Sequence, residues 1–518
     1  MRIARGGQNG PVPLPLHRLV EASSSVAATR KRTEKVAVLA GLFVGMGEGE
    51  VPIVVAMLSG EPRQGKIGIG YRVISTIGVR PAPAATVTIV EVDAALTQIA
   101  GTSGPGSQAA RRDLLAGLFG RCTRDEQDFL RRLLIGDVRQ GALEGIMTDA
   151  VAKAAGLPVA ELRRAAMMQP DLGRVAVVAL TRGVEGLAEI KLRVLRPVQP
   201  MLAKTAPSAA EAIEAEGLSS VEWKLDGVRI QVHRSAGEVR VFTRNLNDVT
   251  DRLTDVVDLV LGFTGDRFVL DGEVMSLTTD GKPRPFTETM SRFGTEDRRE
   301  DTAPVIPFFF DLLCEGDVDL TERPLSERQA VLDTVVPPAY RVPRVLTDDP
   351  VEAQNILDES RSRGHEGIMV KRLDSPYEAG RRGATWLKVK PAHTLDLVVL
   401  AVEWGSGRRS GWLSNIHLGA RDASSGDYVM LGKTFKGMTD DMLAWQTERF
   451  LELETHREGH VVFVRPEQVV EVAFDGIQAS SRYPGGMALR FARVKGYRPD
   501  KQAREADTVE TVRAIFGG

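Results

Sequence analysis

The residues whose types and spacing best suit chemistry lie in VEWKLDGVRIQVHR (221–234), where Lys224, Asp226, Gly227 and Arg229 form a K-x-D-G-x-R pattern at the end of a strand-like run. Asp-Gly makes a tight turn, and a turn there exposes a strand-end lysine beside the fixed positive charge of Arg229. A lysine amine with its ordinary pKa of about 10.4 is protonated at neutral pH, and becomes a nucleophile only when desolvation or neighbouring cations lower that value. Arg229 and a bound divalent metal are expected to act on Lys224 in that direction, and attack on a phosphate would leave a phosphoramide. Arginine is no substitute, because its guanidinium stays charged.

Six further strings follow in order: FTRN (242–245), LDGEV (270–274), FFFDLL (308–313), EGIMVKR (366–372), WLKVK (386–390) and YRPDK (497–501). The 67 basic residues divide into 15 lysines and 52 arginines, so lysine is scarce. Five of those lysines, Lys224, Lys371, Lys388, Lys390 and Lys501, fall inside these strings. That concentration is what chemistry by a compact ammonium or a neutral amine requires. Together the strings hold cationic side chains, carboxylates suited to Mg²⁺ and an aromatic surface for a base, the three needs of phosphoryl-type transfer.

In this order the strings resemble those of the ATP-dependent DNA ligases of the covalent nucleotidyltransferase superfamily, especially the three-domain bacterial and archaeal type that includes bacterial DNA ligase B. The resemblance implies that Lys224 becomes adenylated and that Glu222 takes part in adenine recognition. It implies nucleotide contacts for Arg229, Arg244 and Arg382, and adenine stacking for Phe310. Glu273 would lie near the ribose and the metal, with Glu366 as a second metal-binding carboxylate. Lys388 and Lys390 would grip the α-phosphate, and Arg498, Asp500 and Lys501 would orient the departing pyrophosphate. The implied substrate is ATP, the metal Mg²⁺ or Mn²⁺, and the partner nicked duplex DNA. The implied protein is a cytoplasmic, nucleoid-associated monomer serving replication, repair or recombination. RNA ligases and GTP-using capping enzymes share K-x-D-G chemistry, but FLRRLLIGDVRQGALEGI (129–146) resembles the DNA-binding part of the DNA ligases. A non-catalytic DNA-binding scaffold is the alternative of another class, and intact Lys224, Glu273, Glu366 and Lys388 speak against it.

The elements that must position these residues follow from pattern. A chain of 518 residues divides into about three or four units at roughly 100 to 200 residues each. Its 43% hydrophobic and 26% charged content excludes long disorder or a coiled-coil rod. The net charge of -2 is a sum of unlike parts: 26 basic against 18 acidic residues in 1–200, 25 against 35 in 201–400, and 16 against 16 in 401–518. Charge and Pro-rich punctuation set off a helical, positive segment at 1–198, which the resemblance makes an all-α DNA-binding domain with a positive surface for duplex phosphates. An α+β nucleotidyltransferase (adenylation) domain of short strands is expected at 199–392, and a C-terminal β-barrel OB-fold at 393–518. KPAHTLD (390–396) is the candidate hinge between the last two.

Several tempting features have plainer readings. Residues 125–157 place apolar residues at three- and four-residue spacing, and their Ala, Leu and Arg content favours helix. GTSGPGSQAARRDLLAGLFGR (101–121) reads as a surface turn with solvated arginines leading into a helix, rather than a phosphate loop. GMGEGE (45–50) and GKIGIGYR (65–72) lack the context of a nucleotide loop and read as turns. His456 and His460 have metal-pair spacing but no third ligand, and read as a solvated helix end. Cys122 and Cys314 read as packed thiols. The amino end has no apolar run of a secretory signal, and no stretch suits a membrane span.

Overall fold

Amphipathic helices with well-defined starts build the first part of the chain. A computed structural model describes residues 13–138, 144–284, 286–293, 304–378, 382–390, 393–406 and 409–516, leaving aside the side chains of Thr287, Ser291, Arg382 and Ala384. Its helices run α1 (Leu16–Ala28), α2 (Arg32–Leu42), α3 (Val51–Ser59), α4 (Tyr71–Thr76), α5 (Ile89–Gly101), α6 (Ser107–Arg121), α7 (Arg124–Leu134), α8 (Glu144–Ala155), α9 (Val159–Met168) and α10 (Leu172–Ala188). Thr88 with Glu91 and Thr123 with Glu126 form capping boxes that start α5 and α7, each cap worth about 1 kcal/mol. The apolar faces meet in one core that includes Leu19, Val54, Leu96, Phe119, Phe129, Met147 and Val151.

The helical pattern of 125–157 is divided between α7 and α8. The first ends at Leu134, and Gly136 turns the chain with a φ of 73° before α8 opens at Glu144. GMGEGE (45–50) falls in turns, as expected, whereas GKIGIGYR (65–72) is irregular chain with one bend at Gly68, and its last two residues open α4. The loop before α6 is less solvated than its sequence suggested: Arg111 donates to the carbonyls of Thr102 (2.5 Å) and Gly68 (3.2 Å), tying two loops together. Within α10, Gly183 (φ 63°, ψ -150°) interrupts the helix and redirects it.

The described residues fall into two units, one of residues 1–205 and 212–388 and one of 206–211 and 389–518. Beyond its helices the first unit holds β1 (Leu202–Ala206), β2 (Ser219–Lys224), β3 (Val228–Ser235), β4 (Glu238–Thr243), β5 (Arg267–Ser276), β6 (Val305–Glu315), β7 (Val318–Asp319), β8 (Arg344–Thr347), β9 (Gly367–Arg372) and β10 (Arg382–Val389). They form two five-stranded sheets, in the orders β1-β10-β9-β2-β8 and β4-β3-β5-β6-β7. Asp226-Gly227 is the turn by which the chain passes from β2 in one sheet to β3 in the other. On β3 the alternation buries both faces: Ile230 and Val232 join an apolar core with Val241, Leu270 and Phe309, while Gln231 and His233 on the other face are buried polar groups.

The second unit is strand-rich, with β11 (His393–Trp404), β12 (Leu413–Arg421), β13 (Tyr428–Thr434), β14 (Glu454–Glu458), β15 (Val461–Val464), β16 (Val469–Phe474), β17 (Gly476–Ala479), β18 (Met487–Arg490) and β19 (Arg493–Tyr497). Seven of these make one sheet, in which β11 pairs with β16 through 393–398 and with β15 through 401–403. Its core includes Leu397, Val402, Ile416, Phe450, Val462 and Val472. The helix Asp440–Glu452 ends before the two histidines, and His456 lies on β14 and stacks on Phe463 across a hairpin, with ring centroids 4.4 Å apart. His456 and His460 are therefore not a helix end. Two residues of the candidate hinge, 391 and 392, lie outside the described residues. Both cysteines are buried free thiols, and among the described residues no helix is long and apolar enough to cross a membrane.

Candidate active site

The turn after β2 determines the geometry of the site. Gly227 packs so closely on β5 that a Cβ there would lie 2.5 Å from the Val274 carbonyl oxygen and 2.8 Å from Glu273 Cγ. Its amide donates to Glu273 Oε1 at 3.1 Å, which seats that carboxylate beside the end of β2. On β3 and β5, Arg229 stands opposite Glu273 and Gln231 opposite Asp271. Gly227→Ala is expected to push the turn between β2 and β3 away from β5. We expect a loss of about 10²-fold in any covalent activity of Lys224, read as single-turnover rate, through misplacement of about 1 Å. An unchanged rate would mean that the close approach does not set the site.

A cavity of about 920 Å³ opens where the two sheets meet. Glu222, Lys224, Arg229, Arg244, Glu273, Phe310 and Lys388 line it, from β2, β3, β4 and its following turn, β5, β6 and β10. Seven of the residues singled out in the sequence thus share one cavity. Glu366, just before β9, forms an ion pair with Lys224, and its amide donates to the Lys224 carbonyl at 3.0 Å. Four others make their contacts in the second unit. Lys390 pairs with Asp475 at 3.5 Å in the second unit, whereas Lys388 belongs to the first. Arg498 reaches Asp500 (2.7 Å) and Asp396 (3.1 Å), and Lys501 reaches Asp396 (2.5 Å), a closed cluster in that same unit. Arg382 opens β10, but its side chain lies outside the described residues.

The electrostatics differ from the expectation for Lys224. Burial alone would lower its pKa, but Glu366, Glu273 and Asp226 outweigh that and hold it above the usual lysine range. Arg229 does not act as a free cation beside it. Its guanidinium is fully engaged by Asp271 (3.0 and 2.7 Å), the Met201 carbonyl (2.6 Å) and Tyr377 Oη (3.3 Å). Carboxylates dominate at the amine, because Arg229, opposite Glu273 in the register, turns diagonally to Asp271 on the same sheet face. Burial pushes the Glu273 carboxyl up to about 7, with Lys224 and Arg229 pulling the other way.

Buried polar groups lie beneath the cavity wall. Glu222 is 2% exposed; its carboxylate pairs with Lys371 (2.5 Å) and accepts from Gln329 Nε2 (2.8 Å). The Lys371 ammonium lies 4.2 Å from the ring centroids of both Phe310 and Trp386. Phe310 is steadied by its neighbour Asp311, which forms a fully buried two-pronged pair with Arg328 (2.8 and 3.0 Å). The Trp386 indole nitrogen is buried without a hydrogen-bond partner among the described residues. Sequence reasoning assigned no role to Lys371, Trp386, Asp271, Tyr377 or Gln329. The first three lie inside EGIMVKR, WLKVK and LDGEV, where a buried partner for each neighbouring charge could have been sought; Tyr377 and Gln329 carry no such signal.

A lysine between two carboxylates, faced by further cations and an aromatic ring in a cleft between two sheets, defines a nucleotidyltransferase-type ligase domain. The chain belongs to the ATP-dependent DNA ligase family. Residues 200–390 match the family described as ATP dependent DNA ligase domain, 409–501 the ATP dependent DNA ligase C terminal region, and 71–152 the DNA ligase N terminus. A protein named probable DNA ligase from Anaeromyxobacter dehalogenans strain 2CP-1 is 55% identical over 511 residues, covering 97% of this chain and 100% of that one. Another so named from Rhodococcus jostii strain RHA1 is 53% identical, covering 97% and 99%. The solved structure Pmar-Lig_PreS3 shares the fold, with a TM-score of 0.61 at 19% identity over 93% of this chain and 99% of that one. The protein is thus a DNA ligase that uses ATP.

Proposed function

We propose that this enzyme seals nicks in duplex DNA in three steps, with Lys224 as the group that carries AMP. The Lys224 amine attacks the α-phosphorus of ATP, forming a P–N bond as the bond to pyrophosphate breaks. AMP then passes to the 5′-phosphate at a nick, and the 3′-hydroxyl attacks that phosphate and releases AMP. The observation that carries this reading is the placement of Lys224 between Glu273 and Glu366 in a cavity large enough for a nucleotide. Phe310 offers the adenine a ring, and Glu222, held by Lys371, stands at the same wall. Lys388 and Arg244 are the cations for the phosphates.

Lys224 starts as an ammonium, so its proton must leave before attack. Glu273 and Glu366 suit Mg²⁺, which usually takes one or two carboxylates together with substrate phosphates; among the described residues no larger set of His, Cys, Asp and Glu suits a metal held by protein alone. Mg²⁺ bound there would neutralise the carboxylates that hold the proton and draw charge from the α-phosphate.

We further propose the division into a DNA-binding domain 1–198, an adenylation domain 199–392 and an OB-fold domain 393–518. The two-sided pairing of β11 supports a barrel for the last of these, since one strand joined to different partners along its length curls the sheet. Arg498, Asp500 and Lys501 are then held ready around Asp396 to act on pyrophosphate, and the enzyme works as a monomer on DNA in the nucleoid. Sealing assays on nicked DNA and nicked RNA, with ATP, GTP and NAD supplied separately, test the reading. Joining of DNA with ATP is expected to exceed every other combination; a preference for nicked RNA or for GTP would overturn it.

A further inference from the structure

A second cavity of about 650 Å³ lies in the first unit, away from the nucleotide cleft. The end of α9, helix α10 and the segment 189–197 line it, together with Leu246 from the turn after β4. Five of its residues are basic, Arg174, Arg182, Lys191, Arg193 and Arg196, against two acids, Asp171 and Glu189. Both acids are already paired, Asp171 with Arg174 at 3.1 Å and Glu189 with Arg182 at 2.5 Å. The exposed side chains of Lys191, Arg193 and Arg196 have no hydrogen-bond or ion-pair partner among the described residues, leaving three cations aimed at one cavity without a counter-charge. Coulomb repulsion disfavours such a cluster unless an anion compensates it.

The segment that carries these cations is held rather than loose. Arg164 donates to the carbonyls of Leu187 (2.6 Å) and Ile190 (3.0 Å) at one end. At the other, the Leu195 amide donates to His233 Nδ1 (3.1 Å) and the Val198 amide to Gln231 Oε1 (2.8 Å). Burial pushes the His233 pKa down to about 3, so its ring stays neutral and keeps accepting that hydrogen bond at working pH. Leu195 (φ 68°) and Leu246 (φ 64°) are both held in the left-handed region, a strain that persists only where surroundings over-determine it. A backbone held in this way keeps the attachment points of the three cations in place, so that the ordering cost on meeting an anion is confined to their side chains.

The lining also says what kind of anion. It contains no aromatic residue, whereas the nucleotide cavity offers Phe286, Phe293, Phe310 and Trp386. A ligand here is read by charge and not by a stacked base, which fits a phosphodiester and not a nucleotide. The same turn that presents Leu246 to this cavity presents Arg244, Asn245 and Asn247 to the nucleotide cavity. We propose that Lys191, Arg193 and Arg196, backed by Arg174 and Arg182, form a binding site for backbone phosphates of the duplex carrying the nick. The proposal rests on the ligase reading above and assigns one anchor of its DNA.

The test uses the full-length Lys191→Gln/Arg193→Gln/Arg196→Gln protein, whose changes lie on exposed side chains outside the nucleotide cavity. Self-adenylation with ATP is measured first, then binding of a nicked duplex against salt. Adenylation is expected to stay at the level of the unsubstituted enzyme, while affinity for the nick falls about tenfold or more. The slope of log affinity against log salt should lose about 2 to 3 in magnitude, roughly 0.9 per lost phosphate contact. In the unsubstituted enzyme, nicked duplex should shield Lys191 from an amine-reactive reagent, and inorganic phosphate at equal phosphate concentration should not. An unchanged salt slope and affinity would overturn the proposal while leaving the ligase reading intact, as would shielding by inorganic phosphate alone. An unsubstituted enzyme that never takes up AMP would instead overturn the ligase reading.

Discussion

Lys224→Ala enzyme incubated with ATP labelled at the α-phosphorus is expected to carry no covalent label, a loss of about 10⁴-fold or more, the scale seen when a nucleophile is removed. Lys224→Arg should fail equally, because a guanidinium does not give up its proton to become a nucleophile. The proposed third step does not consume the amine, so both variants should still join, at reduced rate, a nick that already bears AMP on its 5′-phosphate. That residual joining shows that the protein has folded and bound DNA. Label on the Lys224→Ala protein would place the nucleophile elsewhere and sink the assignment.

The second large effect concerns Glu273 and pH. Its carboxyl, pushed up to about 7 by burial, is mostly neutral below that pH and mostly charged above it. A divalent cation needs the charged form, so the apparent affinity for Mg²⁺ should weaken as pH falls through about 7 and strengthen as it rises. Self-adenylation at subsaturating Mg²⁺ should therefore rise from pH 6 to 8, and part of the loss at pH 6 should be recovered by more Mg²⁺. Glu273→Gln is expected to lower the rate by about 10² to 10³-fold and to remove the inflection near 7. Lys224 contributes a further rise with pH, since its raised pKa keeps it protonated throughout this range. If Glu273→Gln retained the same pH profile and Mg²⁺ dependence, the carboxylate would have no part in binding the metal.

Much of the nucleotide site was legible because chemistry restricts residue type. Of the two strong cations only lysine can give up its proton and form the phosphoramide, and the scarcity of lysine makes Lys224 and Lys388 conspicuous. Less legible was what each charge faces. Arg229 was read as a cation that lowers the Lys224 pKa, yet it is matched by Asp271 through a register that places residues 42 positions apart on one sheet face. Lys388 and Lys390 look like a pair in WLKVK, but the boundary between the two units falls between them: Lys388 lines the cavity and Lys390 pairs with Asp475. The periodicity of 439–456 continued past the point where the chain turns into β14, because alternation over a few polar residues cannot distinguish a fraying helix from an edge strand.

The sequence by itself determined the family, the helical start, the change to short strands and the residues able to carry AMP, because periodicity and side-chain chemistry are local properties. Only the tertiary structure decided which charges cancel and which do not. Asp271 neutralises Arg229, Glu222 neutralises Lys371, and the RPDK cluster closes on Asp396. Lys191, Arg193 and Arg196 stand over a cavity completed by Leu246, about fifty residues further along the chain. The physical reason is that electrostatic energy depends on distance in space and on burial, and both are set by strand register and packing between segments far apart in the chain.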